Sequence, residues 1–225
     1  MLSTKSTALI REPAGNRDKS AGNATRTVVS TFGLLAGLAG IEHGVGEILQ
    51  GPVRPAGPVI ESWPDSKAFE ILGGEPALTV IPNLLATGIV AVIVAIAVVV
   101  WSVRSVDRRH GGLMLILLSV LLLLLGGGFG PPLVGGIVGV GATRIGIAPR
   151  RRPGRVAQTV GRVWPWVLGA AVLGYLCLLP GTVLLDEFLG GIDPVLVPTL
   201  TVFSFAGLIL ALNAARAEDH VRAAH

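Results

Sequence analysis

The sequence predicts an all-α fold, a polytopic bundle of membrane helices with about six crossings and both termini in the cytoplasm. Three observations carry this. Of the 225 residues, 51% are hydrophobic and only 14% charged, with a mean hydropathy of +0.71. A soluble domain of this size needs far more charge to cover its surface. Secondly, the apolar residues come in continuous blocks that supply the ~20 residues of helix needed to cross a bilayer, where a β-barrel would show alternation. Thirdly, the basic residues flank these blocks on one side. Every Lys and Arg except Arg54 and Lys67 falls in the N-terminal tail, after the second block, between residues 144 and 162, or near the C-terminus. The positive-inside rule assigns those segments to the cytoplasm.

Residues 1–27 are polar with both signs of charge and read as a disordered cytoplasmic tail. A cleaved signal peptide is the weaker reading, because the apolar run continues past the small residues near Gly40. Residues 28–49 form the first crossing. Residues 82–103 form the second, around the stretch LLATGIVAVIVAIAVVVW, which holds no ionisable group. The third block, residues 111–148, would be ~57 Å long as one helix, nearly twice the hydrocarbon thickness. It contains the helix-breaking run GGGFGPP and has arginines beyond both ends. It therefore splits into short crossings at 112–125 and 132–147 that turn at the outer surface, with a re-entrant hairpin as the alternative. The fifth crossing is 163–185. The sixth is 194–213, opened by Asp193 as cap and Pro194 in the first turn. The crossings make one transmembrane domain, 28–214, followed by a short cytoplasmic tail, 215–225.

Between the first two crossings lies an outer loop, 51–81. Asp65 or Ser66 caps a short helix that Gly73 ends, with Trp63, Phe69 and Leu72 toward the interface and Lys67 and Glu70 in water. Glu75-Pro76 then starts a further helix. Such a loop either fills a gap between crossings or roofs a site, with Asn83 as a polar neighbour.

The stretch GIEHGVGEILQG, residues 40–51, is where chemistry is expected. Ionisable groups in an apolar helix are costly and normally face the protein interior or a water-filled cavity. At 100° per residue His43 and Glu47 share one face, which Gln50 extends, beside a stripe of Gly33, Gly37, Gly40 and Gly44 that suits close helix packing. Glu42 points nearly the opposite way and would need an unwound helix to share a ligand sphere with His43. The candidate ion- or substrate-binding residues are thus His43, Glu47, Glu42, Gln50, Glu75 and Asn83. For a divalent metal, His43 and Glu47 supply two ligands, and Glu70, Glu75 or Asp186 completes the set. Haem fits poorly, because His110, His220 and His225 fall on the cytoplasmic side and leave one intramembrane histidine.

The remaining motifs exclude more than they suggest. There is no GxSxG, no HExxH and no cysteine pair; Cys177 is a lone thiol expected to be buried and inert. Arg150, Arg151, Arg152 and Arg155 can hold anionic lipid headgroups at the inner leaflet; their role in topology removes the need for a nucleic-acid partner. The glycine stripe can serve a second copy or a partner membrane protein. The expected function is transport or permeation of a cation, proton or small solute through an outward-facing acidic and histidine site, without catalysis. The alternatives are a non-catalytic membrane subunit or assembly partner, and an enzyme with an outward metal site acting on a lipid-type substrate. The glycine-, alanine- and arginine-rich composition suits a bacterial plasma membrane.

Overall fold

The computed structural model describes residues 23–64, 66–147, 154–189, 191, 193 and 195–224. The tail residues 1–22, Asp65, Arg150, Arg151, Arg152 and Pro194 lie outside the described residues. The fold is helical. Its elements are α1 (Asn23–Leu49), β1 (Val59–Glu61), α2 (Lys67–Glu70), β2 (Pro76–Leu78), α3 (Leu84–Arg104), α4 (Gly111–Leu124), α5 (Gly130–Ala142), α6 (Arg155–Arg162), α7 (Trp164–Leu176), α8 (Thr182–Leu189) and α9 (Leu196–Ala223). A π-helical turn, Cys177–Gly181, joins α7 to α8 around Pro180, whose ring cannot sit in a regular α-helical ladder. Among the described residues, four helices are long and apolar enough to cross a membrane: Asn23–Leu49, Leu84–Arg104, Trp164–Leu189 and Leu196–Ala223. The chain is a membrane protein on that ground. The shorter apolar helices α4 and α5 form an antiparallel hairpin, as the split of the third block anticipates.

Small residues set the packing. α1 and α3 run antiparallel, and a Cβ at Gly33 would strike Ser102, one at Gly37 Val99, and one at Gly44 the backbone of Gly88. Gly40 lies against Leu122 of α4. The glycine stripe is thus packed against α3 and α4 of the same chain. α7 and α9 pack through Gly174 on Phe203 and Gly207 on Ala171. Phe32 of α1 meets Tyr175 edge-on, with ring centroids 5.9 Å apart. The apolar core lies where these helices meet, around Phe32, Val98, Leu115, Leu122, Val138 and Leu208.

Several local expectations change. α1 is already helical at Asn23, upstream of the expected Val28, and Asp219 of α9 holds this end of it: Ala24 and Thr25 donate their backbone N–H groups to the Asp219 carboxylate at 2.9 Å each. α9 runs on to Ala223, past the expected end. The N-cap of α9 is Val195, with no side-chain cap bond, rather than Asp193, which instead accepts from the Val195 N–H at 2.9 Å in the turn before the helix. Cys177 is half-buried rather than buried. The outer loop holds an antiparallel β1–β2 ribbon, with Val59 opposite Leu78 and Glu61 opposite Pro76, where a helix from Glu75 was expected. Pro76 suits the end of a short two-stranded ribbon, where no ladder bond is asked of its missing N–H.

Candidate functional site

The site forms where the C-terminal end of α1, the β-ribbon and the α4–α5 turn converge. α1 is an unbroken helix through Gly40–Leu49, so its side chains keep helical spacing. His43 is buried, 4% exposed, and its Nδ1 lies 2.9 Å from Glu42 Oε2 and 2.9 Å from Glu75 Oε2. Glu42, half-exposed on the flank of α1, reaches the imidazole without unwinding. This corrects the argument from projection angle: a glutamate has three side-chain torsions, enough to swing its carboxylate round to the next residue's ring.

Glu75 comes from the ribbon. The chain reverses between α2 and β2 through Gly73, Gly74 and Glu75, all left-handed, with φ of 65°, 68° and 53°. Glycine adopts this region freely, whereas for glutamate it costs roughly 1–2 kcal/mol. The outlier sits where a buried carboxylate meets α1, the kind of place at which local backbone strain is retained. The neighbouring backbone fixes it, since the Ser62 N–H donates to the Glu75 carbonyl and the Trp63 N–H to Gly74. Burial opposes the charge on Glu75, but the adjacent His43 imidazole, and less strongly Glu42, outweigh it and hold the carboxyl below the ordinary carboxylate range.

Glu47 lies one turn beyond His43 and is wholly buried. Neither of its carboxylate oxygens has a hydrogen-bond partner among the described residues. The Ser62 hydroxyl stands beside it but does not meet hydrogen-bond geometry. A buried carboxylate without a partner costs several kcal/mol if ionised, so a cation or proton belongs there.

The GGGFG turn closes the site from the third side. Gly126 and Gly128 are left-handed, with φ of 95° and 73°. A Cβ on Gly126 would collide with the Glu47 carboxylate, and one on Gly128 with the His43 imidazole at Nε2 and Cδ2. The turn is anchored to the ribbon, Gly126 N–H donating to Leu78 O at 2.9 Å and Val80 N–H to Leu124 O at 3.1 Å. Sequence reading takes this run as a breaker between two short helices. Its contact with His43 and Glu47 was missed, and the signal available was that three consecutive glycines exceed what a hairpin turn needs.

Glu42, His43 and Glu75 each offer a ligand atom, and these atoms lie within 4.8 Å of one another. The other sequence candidates have structural roles. Gln50 donates to the carbonyls of Glu61 and Ser62 at 3.0 Å each, pinning the ribbon to α1. Asn83 caps α3, its side chain accepting from the Ala86 N–H at 3.0 Å. Glu70 is exposed on α2, and Asp186 lies on α8; neither joins the cluster. Trp63 stacks on Phe69 at 5.0 Å and backs onto Gly46, roofing this end of α1. Arg155, the one described member of the lipid-facing set, opens α6 and is exposed. No protein-family model matches the chain, and no characterised protein or solved structure is significantly similar to it.

Proposed function

We propose that this chain is a small transport or permeation protein that takes up a cation through the polar site at the end of α1. The observation that carries the reading is Glu47, a carboxylate buried completely and left without a hydrogen-bond partner among the described residues, beside a second cluster of two carboxylates and an imidazole. Apolar membrane helices retain such groups where they bind or pass an ion. The site faces outward in this reading. Arg104, Arg144 and Arg216 mark the opposite helix ends, which the positive-inside rule assigns to the cytoplasm.

The same reading takes α4 and α5 as two short crossings, giving six in all with both termini inside. Contacts at both levels support this over a shallow re-entrant hairpin: the Trp101 indole donates to Gly111 O at one end of α4, and Val80 N–H to Leu124 O at the other. A bacterial plasma membrane and contact with its lipids belong to the same proposal. Reconstitution into liposomes tests it. Glu47→Gln abolishes cation flux while the melting temperature stays near wild type; flux unchanged by the substitution contradicts it.

A further inference from the structure

We infer that Glu42, His43 and Glu75 bind one divalent first-row transition-metal ion of the borderline class, such as Zn²⁺, which on the transport reading is the cargo. The donor set selects this class. Alkali and alkaline-earth ions take all-oxygen shells, and soft ions need thiolate; here one imidazole nitrogen joins two carboxylates. Cys177 lies in the π-helical turn after α7, outside the cluster.

The geometry is close to what such an ion requires. His43 Nδ1 stands 2.9 Å from each carboxylate oxygen. A tetrahedral ion with bonds of ~2.0–2.2 Å sets neighbouring ligand atoms about 3.4 Å apart. A small opening of the cluster, to separations within the 4.8 Å its ligand atoms already span, therefore admits the ion. The ion replaces the contacts between imidazole and carboxylates: Nδ1 donates its lone pair to the metal, any proton it carried passes to solvent, and no electron transfer is involved. Three protein ligands leave the remaining position to water.

Charge agrees with this assignment. Two carboxylates and a neutral imidazole balance a divalent ion. Glu47, wholly buried with neither carboxylate oxygen partnered among the described residues, is a second polar group beneath the glycine turn that calls for a cation or a proton. The first ligand pair comes from one helix, and the third from a strained ribbon turn whose hydrogen bonds fix its place. The site is assembled only when ribbon and helix are docked.

The test is calorimetric titration of the chelator-stripped chain in detergent with ZnCl₂, against CaCl₂ and NaCl. The expected result is one zinc per chain, with binding weakened at least ~100-fold by His43→Ala and by Glu75→Gln and unchanged by Glu187→Gln. Wild-type protein that melts cooperatively yet takes no zinc overturns the inference. So does zinc binding that persists in His43→Ala, or calcium binding as tight as zinc. Should the variants unfold, Co²⁺ added to wild type decides: intense visible absorption of a low-coordinate site supports the assignment, and only weak octahedral bands overturn it. Zinc binding without zinc flux would leave this site standing and remove transport; flux of a monovalent cation without zinc binding would do the reverse.

Discussion

Gly128→Ala probes the contact between the glycine turn and the site most sharply. At φ +73° an alanine is strained by about 1–2 kcal/mol. Its methyl would also fall on the edge of the His43 imidazole. The ring cannot swing aside cheaply, because Nδ1 is held between two carboxylates, and the turn cannot withdraw without breaking its bonds to the ribbon. Overpacking of this kind adds about 1–3 kcal/mol, so the total is roughly 2–5 kcal/mol. At about 2–4 °C per kcal/mol for a chain of this size, melting in detergent should fall on the order of 10 °C, and zinc affinity should fall with it. Gly136→Ala is the control. It lies within α5 with nothing within 4 Å of an added Cβ, so helix propensity alone acts and the variant gains up to about 1 kcal/mol. A Gly128→Ala protein that melts at or above wild type, or a Gly136→Ala protein that falls as far, would refute the reasoning.

Other substitutions separate scaffold from site. Asp219→Asn removes a charged cap from α1 and should cost about 1–2 kcal/mol in thermal melts, with zinc affinity unchanged because the cap lies at the far end of the helix. Asn83→Ala should lose about 1 kcal/mol from the α3 cap, again without moving zinc affinity; a large loss of affinity would return Asn83 to the site. The lowered Glu75 carboxyl stabilises the fold above its unfolded value of about 4.5 and loses that contribution as pH falls through the lower folded value. The melting difference between wild type and Glu75→Gln should therefore be full near neutrality and shrink only below about pH 4.5. A difference that disappears by about pH 6 would contradict that sign.

Much of the helical framework was legible because hydropathy and arginine placement are written locally. Residues 84–101 could be nothing but a buried or membrane helix, and the GGGFGPP run had to break the third block. The importance of His43 and Glu47 was legible too, since an ionisable pair in an apolar helix needs a reason. Their partners were legible only as candidates. Glu42 was kept in the set but judged unable to meet the His43 ring, because projection angles place Cβ atoms, while carboxylates end several bonds away. Glu75 was placed in a helix because the Glu-Pro pair permits one, and only the pairing of residues 59–61 with 76–78, a non-local choice, turns that segment into a ribbon and aims its carboxylate at α1. The glycine stripe was read correctly as a packing surface, but sequence does not say whether the partner helix lies in the same chain; contact with Ser102, Val99 and Gly88 answers that.

X-ray absorption on the zinc-loaded protein tests most directly whether Glu42, His43 and Glu75 meet around one ion. A first shell of nitrogen and oxygen at ~2.0–2.2 Å, with the multiple scattering of a single imidazole that vanishes in His43→Ala, is the result expected. A shell without imidazole, or one containing sulfur, would contradict it.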